Sequence, residues 1–476
     1  MKILYSNGTE EREEVVDNLY HDVAKLLASE PLASPLTVTV KEKEHPENRL
    51  AYKVSQRSGT RFIIELENSM PDGALSEDIN PVFLTCVKPE SNAYKFYRLD
   101  PCGNQVKATY GRMGVAKGQL FGERSFMYPI SMFWPKYYEK LSKGYVDRSE
   151  LYLDKEKLKR PLKVKKAKTD LEAGASQELF QSLMKLARRA VEKAKVQVPI
   201  TPAILKRTEE LINLLRVADS VESFNSHLLE LIAVLQRPVR TGDGSGVREI
   251  MAQSEKDFIR IIQREDDLFK AMEGSAAGNG SNDIPADSFG QHDIEVYEVT
   301  ERQRAEVLRQ LNDNLKPKVR KIYRVIPRKQ KKRFNQYLRD HNIRTVKQFW
   351  HGSRNQNWMS IILNSLKLNP DAITTGDMYG KGIYFAPSSM KSWNYTSYRG
   401  TSWAKGSEDI AYMGLYATAY GTPKDVDTWD SSEDYIKLVK DAGADCLHAH
   451  KGYLKNDEIV FYDENAVLLN YIVEFR

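Results

Sequence analysis

Cysteine is scarce: Cys86, Cys102 and Cys446 are the only three in 476 residues, and they lie far apart without a CxxC pair. A disulfide framework and a cysteine-built zinc cluster are thereby excluded, and a reducing compartment fits. Long apolar runs are also missing. None reaches the ~18 residues that a membrane-spanning helix needs, so no membrane partner is expected. The opening MKILYSNGTEEREEVV turns acidic where a signal peptide turns apolar, which points to an intracellular protein. Charge of one sign does not dominate either, since 71 basic residues face 65 acidic ones for a formal net charge of +6. Any nucleic-acid surface must therefore be sought in local clusters. No internal repeat is present, and no strand–GxGxxG–helix unit of a dinucleotide-binding Rossmann fold occurs. The nearest run, Gly242 to Gly246, follows a helical pattern with the wrong spacing and reads as a loop.

What is present is enough apolar material for several cores, 41% hydrophobic and 10% aromatic residues. At about 150 residues per domain the length suggests roughly three domains. The patterning gives a multidomain α+β chain in four segments. Residues 1–80 read as a small α/β unit, with a helical pattern near Val15 to Leu27 and alternating LTVTV and RFIIEL. Residues 81–150 read as a compact β-rich module with one helix, from VFLTCV through YKFYRLD to FMYPISMFWPKYY. Residues 172–272 switch to a helical period: Leu179, Leu183, Leu186 and Ala190 form one stripe, and Phe224, Leu228, Leu231 and Leu235 another. Thr201-Pro202 supplies an N-cap and first-turn proline for a helix through Leu214. The stretch EGSAAGNGSND, 273–283, reads as a flexible connector. Beyond it, closely spaced strand patterns over 290–476 argue for a mostly antiparallel α+β domain. Two basic stretches stand out. Residues 155–168 carry eight Lys/Arg against one Glu, and 316–333 carry ten with no acid. Each suits either a solvated surface or a polyanion contact.

Three segments at strand ends hold the chemistry-bearing residues: His351-Gly352-Ser353, GKGIYFA around Tyr384 with Lys391, Ser392 and Tyr395 shortly after, and NDEIVFYD around Glu458. Singly, each fits a half-buried histidine, a strand bend or edge charges. Together, over about 290–476, they resemble the catalytic domain of the poly(ADP-ribose) polymerase family, diphtheria-toxin-like ADP-ribosyltransferases with a His-Tyr-Glu triad. The resemblance implies NAD+ as substrate, no metal, and a triad of His351, Tyr384 and Glu458. It further implies that Tyr384 and Tyr395 sandwich the nicotinamide, that Gly352 and Ser392 bind its carboxamide, and that Ser353 belongs to the NAD-binding motif. His351 would hold the adenine-side ribose and Glu458 the nicotinamide ribose, with Lys391 beside the acceptor. Lys367 stands near the adenine side, where many relatives have an arginine. Breaking the nicotinamide–ribose bond makes a sugar cation, and a carboxylate placed against it suits that chemistry.

Residues 81–150 resemble a WGR domain, the module that accompanies DNA-dependent members of that family. The signature here is Tyr110-Gly111-Arg112-Met113-Gly114, with Tyr110 in place of tryptophan. The likeness implies Tyr110 and Arg112 as contacts to DNA ends or nicks. Residues 172–272 stand where such relatives carry a regulatory helical domain. The expectation is a DNA-dependent polymerase of ADP-ribose that modifies protein acceptors including itself, monomeric when free. It would be DNA-associated, in the nucleus of a eukaryote or the cytoplasm or nucleoid of a bacterium or phage. The alternatives are modification of nucleic-acid ends and a catalytically inert nucleic-acid-binding scaffold.

Overall fold

The computed structural model describes residues 2–6, 11–15, 36–41, 49–57, 61–66, 80–103, 105–115, 118–153, 170–239, 246–277, 289–368, 378–452 and 455–476. Two compact units emerge. The first holds residues up to Leu158 together with Gln197–Pro199 and Leu235–Met251; the second holds the rest.

In the first unit, five antiparallel strands, β1 (Lys2–Ser6), β2 (Glu11–Val15), β3 (Leu36–Lys41), β4 (Arg49–Arg57) and β5 (Arg61–Leu66), make a sheet of order β2-β1-β3-β4-β5. LTVTV and RFIIEL are strands, as their alternation requires. Val15 closes β2, and the rest of the helical pattern expected near Val15 to Leu27 lies outside the described residues. A second sheet, of order β10-β6-β7-β8-β9, is built from β6 (Val82–Lys88), β7 (Ala93–Cys102), β8 (Gln105–Arg112), β9 (Arg124–Pro129) and β10 (Val146–Asp147). Helix α1 (Phe133–Ser142) and the short α2 (Ser149–Tyr152) accompany it. Gly114, at φ +76°, is required as glycine twice over: a side chain there would be strained, and its Cβ would stand 2.5 Å from Pro238 Cα.

The second unit opens with helices α3 (Asp170–Lys193), α4 (Pro202–Arg216), α5 (Val221–Val234) and α6 (Phe258–Ala276). Thr201 caps α4 by accepting the Ile204 N–H, as the Thr-Pro pair foretells. Phe224 and Phe258 stack with ring centroids 3.9 Å apart, joining α5 to α6. One sequence expectation fails here. Residues 273–276 are not connector but the last turn of α6. Gly274 is there for contact, because a Cβ at that position would stand 2.8 Å from Met359 Cβ and 3.2 Å from Ala187 Cβ. Small residues let helices approach, and their composition mimics that of a flexible tether. The remainder of that stretch, like basic residues 155–168, lies outside the described residues.

Two sheets follow. One has order β11-β12-β19-β15-β13, from β11 (Ile294–Glu298), β12 (Val319–Pro327), β13 (Lys347–Gly352), β15 (Ala411–Thr418) and β19 (Val467–Phe475). The other has order β14-β18-β17-β16, from β14 (Ile383–Phe385), β16 (Pro423–Val426), β17 (Cys446–Ala449) and β18 (Glu458–Phe461). All pairings between these strands are antiparallel except β16 with β17. Helices α7 (Glu301–Arg309), α8 (Arg328–Asp340), α9 (Trp358–Asn364), α10 (Ser389–Trp393) and α11 (Tyr435–Asp441) surround them. Strand β15 is buried along its whole length, and Gly414 in it leaves the space that Trp358 fills. Leu179, Phe180, Leu183 and Met184 of α3 join Trp358, Tyr412 and Ile472 in one continuous core. The segments read separately as 172–272 and 290–476 thus share apolar packing.

Candidate functional site

The two sheets of the second unit meet where Trp350 on β13 and Ala386 just past β14 exchange backbone hydrogen bonds of 3.0 and 3.1 Å. That bridge brings the HGS segment against GKGIYFA. His351 follows Trp350, and its Nδ1 lies 3.0 Å from the Tyr384 carbonyl oxygen. A carbonyl only accepts, so the neutral ring carries its proton on Nδ1 and leaves Nε2 as an acceptor. Burial pushes this histidine down from 6.5 to about 4, against the small opposing effect of its bond to Tyr384. The ring is neutral across physiological pH.

Gly352 ends β13 where the chain passes under α10. A Cβ here would stand 1.8 Å from the Ser392 carbonyl oxygen, so no other residue fits without moving strand or helix. Ser392 Oγ donates to the Trp350 carbonyl at 2.9 Å, which keeps its lone pairs for an incoming N–H. Tyr384 is fixed through its hydroxyl, which donates to the Gly380 carbonyl at 2.6 Å and accepts from the Tyr379 N–H at 3.1 Å. Glu458, the first residue of β18, is buried and paired with Lys391 of α10. Gly382 enables this packing, since its Cβ would collide with Val460 Cγ1 at 2.3 Å. Tyr395, 39% exposed, stacks on Trp403, 67% exposed, with centroids 6.2 Å apart and planes 15° from parallel. Ser353 Oγ accepts from Asn357 Nδ2 at 3.1 Å, and Lys367 Nζ lies 3.1 Å from Glu464 Oε2.

All of His351, Gly352, Ser353, Lys367, Tyr384, Lys391, Ser392, Tyr395 and Glu458 line one cleft of about 2630 Å³. Single-ligand pockets measure about 300–1,000 Å³, so this one has room for a dinucleotide and more. Residues from α8, Lys329, Lys332 and Arg333, edge the same cleft. Their signal was the acid-free basic run 316–333, whose other members are used differently: Lys321 bonds Glu178 at 2.5 Å and Arg320 pairs with Glu474 at 2.8 Å. Trp403 gave no sequence signal because it sits in a loop beyond the motif.

Helix α6 closes another side of the cleft. Asp267 accepts from Asn357 Nδ2 at 2.8 Å and pairs with Arg354 Nε at 3.0 Å. Glu273 accepts from Ser360 Oγ at 2.6 Å and from Asn364 Nδ2 at 3.1 Å. Burial raises both carboxyls above their ordinary range. These contacts could not be read from either segment alone, since their partners lie 87 to 91 positions away.

In the first unit, Tyr110 and Arg112 part company. Tyr110 is 37% exposed and stacks on Tyr97, with centroids 5.8 Å apart. Arg112 is 9% exposed and donates to the Asn92 backbone oxygen at 2.7 Å and to Asn92 Oδ1 at 3.1 Å. Asn92 thus holds the guanidinium that the sequence assigns to a DNA contact. The exposed arginine opposite Tyr110 is Arg124 of β9, beside exposed Phe126 and Met127.

Among the described residues no helix is long and apolar enough to cross a membrane. Residues 298–405 match the family model described as the poly(ADP-ribose) polymerase catalytic domain. The match takes in His351 through Tyr395 and ends before Glu458. The chain is 55% identical over 47 residues to poly [ADP-ribose] polymerase 2 of Homo sapiens, covering 10% of this chain and 8% of that one. It is 27% identical over 160 residues to the putative poly [ADP-ribose] polymerase-like 100L of Invertebrate iridescent virus 6, covering 32% of this chain and 83% of the relative. A poly [ADP-ribose] polymerase of Sarcophaga peregrina is 41% identical over 75 residues, 16% of this chain and 7% of that one. The aligned stretches thus span under a tenth of the human and fly relatives.

Proposed function

The chain carries a catalytic domain of the poly(ADP-ribose) polymerase family, and from that premise we propose that it transfers ADP-ribose from NAD+ to protein acceptors, itself included, and releases nicotinamide. The observation that carries the reading is the convergence of His351, Tyr384 and Glu458 from β13, β14 and β18 on one cleft. The nicotinamide stacks between Tyr384 and the Tyr395–Trp403 pair, and its carboxamide meets the Gly352 backbone and the lone pairs of Ser392. His351 Nε2 accepts from a hydroxyl of the adenine-side ribose, which its enforced neutrality permits. Lys329, Lys332, Arg333 and Lys367 favour the pyrophosphate.

As the ribose–nitrogen bond breaks, its electron pair leaves with nicotinamide and the ribose acquires positive charge. The Glu458 carboxylate stabilises that charge and orients the acceptor, a contribution on the order of 3 kcal/mol for such a group. The acceptor oxygen bonds to the ribose carbon, and the proton of a hydroxyl acceptor passes to the Glu458 carboxylate. Lys391 holds Glu458 in place until substrate enters.

DNA dependence is the finer part of the proposal. It is supported by the exposed Tyr110, Arg124 and Phe126 on the paired strands β8 and β9 of the first unit, which suit stacking on an unpaired base with a phosphate contact. Helix α6, bonded across the cleft through Asp267 and Glu273, is the element whose release would open access. The test is incubation of the full chain with labelled NAD+, with and without nicked DNA, and mass spectrometry of the products. Labelled protein that rises with DNA is expected. Label confined to nucleic-acid ends, or no turnover at all, would replace the reading with one of its two alternatives.

A further inference from the structure

A second polar cluster lies on the far strands of the sheet that carries Glu458. In the parallel pairing of β16 with β17, Asp425 stands opposite His448. His450 continues the pairing by donating its N–H to the Val426 carbonyl at 2.9 Å, so His448 and His450 project on the same side. Asp425 Oδ1 reaches both rings, 2.7 Å from His450 Nε2 and 3.8 Å from His448 Nδ1. One ligand atom from each of the three residues falls within 4.8 Å of the others. On the opposite side of His448, Asp457 Oδ2 lies 3.2 Å from Nε2, and the Lys451 N–H holds the other oxygen of Asp457 at 2.8 Å.

We propose that Asp425, His448 and His450 bind a first-row divalent cation, zinc in the first place, and that Asp457 orients His448 from behind. Tetrahedral zinc with bonds of about 2.0–2.1 Å holds its ligand atoms about 3.4 Å apart. The observed 2.7 and 3.8 Å separations bracket that value. Two imidazoles and a carboxylate suit zinc, cobalt or nickel, whereas magnesium and calcium take oxygen ligands. A carboxylate on the remote nitrogen of a ligating histidine is the usual support for such a ring. The two rings lie with centroids 4.1 Å apart. The Tyr420 hydroxyl, 2.7 Å from His448 Nδ1, donates to the lone pair that a cation takes and turns away when one binds. A cation here ties β16 and β17 to residue 457, immediately before Glu458, and so fixes the strand that presents that carboxylate without touching NAD+.

The test uses the full chain stripped with a chelator and titrated with Co2+, then with Zn2+. About one equivalent of Co2+ should bind with the visible band of a four- or five-coordinate ion, be displaced by Zn2+, and raise the melting temperature. Asp425→Asn and His450→Gln alter partly exposed positions, so they should keep the wild-type circular dichroism while losing the band. Asp457→Asn should keep the band with about 10–100-fold weaker affinity. A wild-type chain that takes up no Co2+, or one whose band survives in Asp425→Asn and His450→Gln, overturns the proposal and leaves the cluster as hydrogen-bonded strand ties.

Discussion

Replacing Glu273 by alanine probes whether α6 gates the cleft. The change deletes the bonds from Ser360 Oγ at 2.6 Å and Asn364 Nδ2 at 3.1 Å. A hydrogen bond to a charged group is worth about 1.5–3 kcal/mol when partly buried and less at an exposed site such as Asn364. Against this stands the cost of holding the carboxylate away from water, which is what pushes its pKa up. The net loss is about 1–2 kcal/mol, so the open state should gain about 5- to 30-fold in population relative to the closed one. Turnover of NAD+ without DNA should rise by a comparable factor, while turnover at saturating DNA changes little. Hydrogen exchange over 258–276 should accelerate to match. Faster exchange with unchanged DNA-free turnover would refute the gating argument and leave α6 as a structural wall. Unchanged exchange would show that the bonds to Glu273 do not hold the helix.

The same contact can be tested sterically. Gly274→Ala should favour α6 by about 1 kcal/mol on helix propensity, yet its Cβ would stand 2.8 Å from Met359. A lower melting temperature and higher DNA-free activity are expected, and a stabilised protein with wild-type regulation would count against the close packing. The third prediction concerns pH. Because burial holds His351 near 4 while the unfolded ring titrates near 6.5, the unfolded chain binds more protons between those values. The stability that His351 contributes is present above 6.5 and is lost as pH falls toward 4. His351→Gln should flatten this part of the stability curve by about 1–3 kcal/mol, measured by denaturant unfolding across the range. An unaltered slope would mean that the ring is hydrated.

The cleft was more legible than the walls around it. Each motif announced itself because its residue types are constrained locally: Gly352 admits no Cβ against Ser392, Gly382 none against Val460, and Tyr384 sits between hydrophobic neighbours at strand spacing. The strands of the second unit were readable for the same reason, their apolar periodicity being written in consecutive residues. Long-range pairing was not. Nothing near Asp267 or Glu273 in the sequence tells that Arg354 and Ser360 receive them. The glycine and alanines of 273–277 resemble a tether in composition, although tight helix contact selects the same residues. The partner of Arg112 was hidden for a related reason, since Asn92, which accepts from its guanidinium, lies 20 positions away. His448 and His450 carry no local motif, because their partners, Asp425 on β16 and Asp457 just before β18, lie elsewhere in the chain.

The most direct test of the central claim is NAD+ turnover by Glu458→Gln, alongside NAD+ binding by the same protein. The substitution keeps the side chain's size and removes the charge that would stabilise the ribose cation. Transfer of ADP-ribose should fall at least ~100-fold, with binding of NAD+ close to wild type and polymer absent from the products. Polymer made at the wild-type rate by Glu458→Gln would contradict the assignment of this carboxylate and, with it, the mechanism built on the cleft.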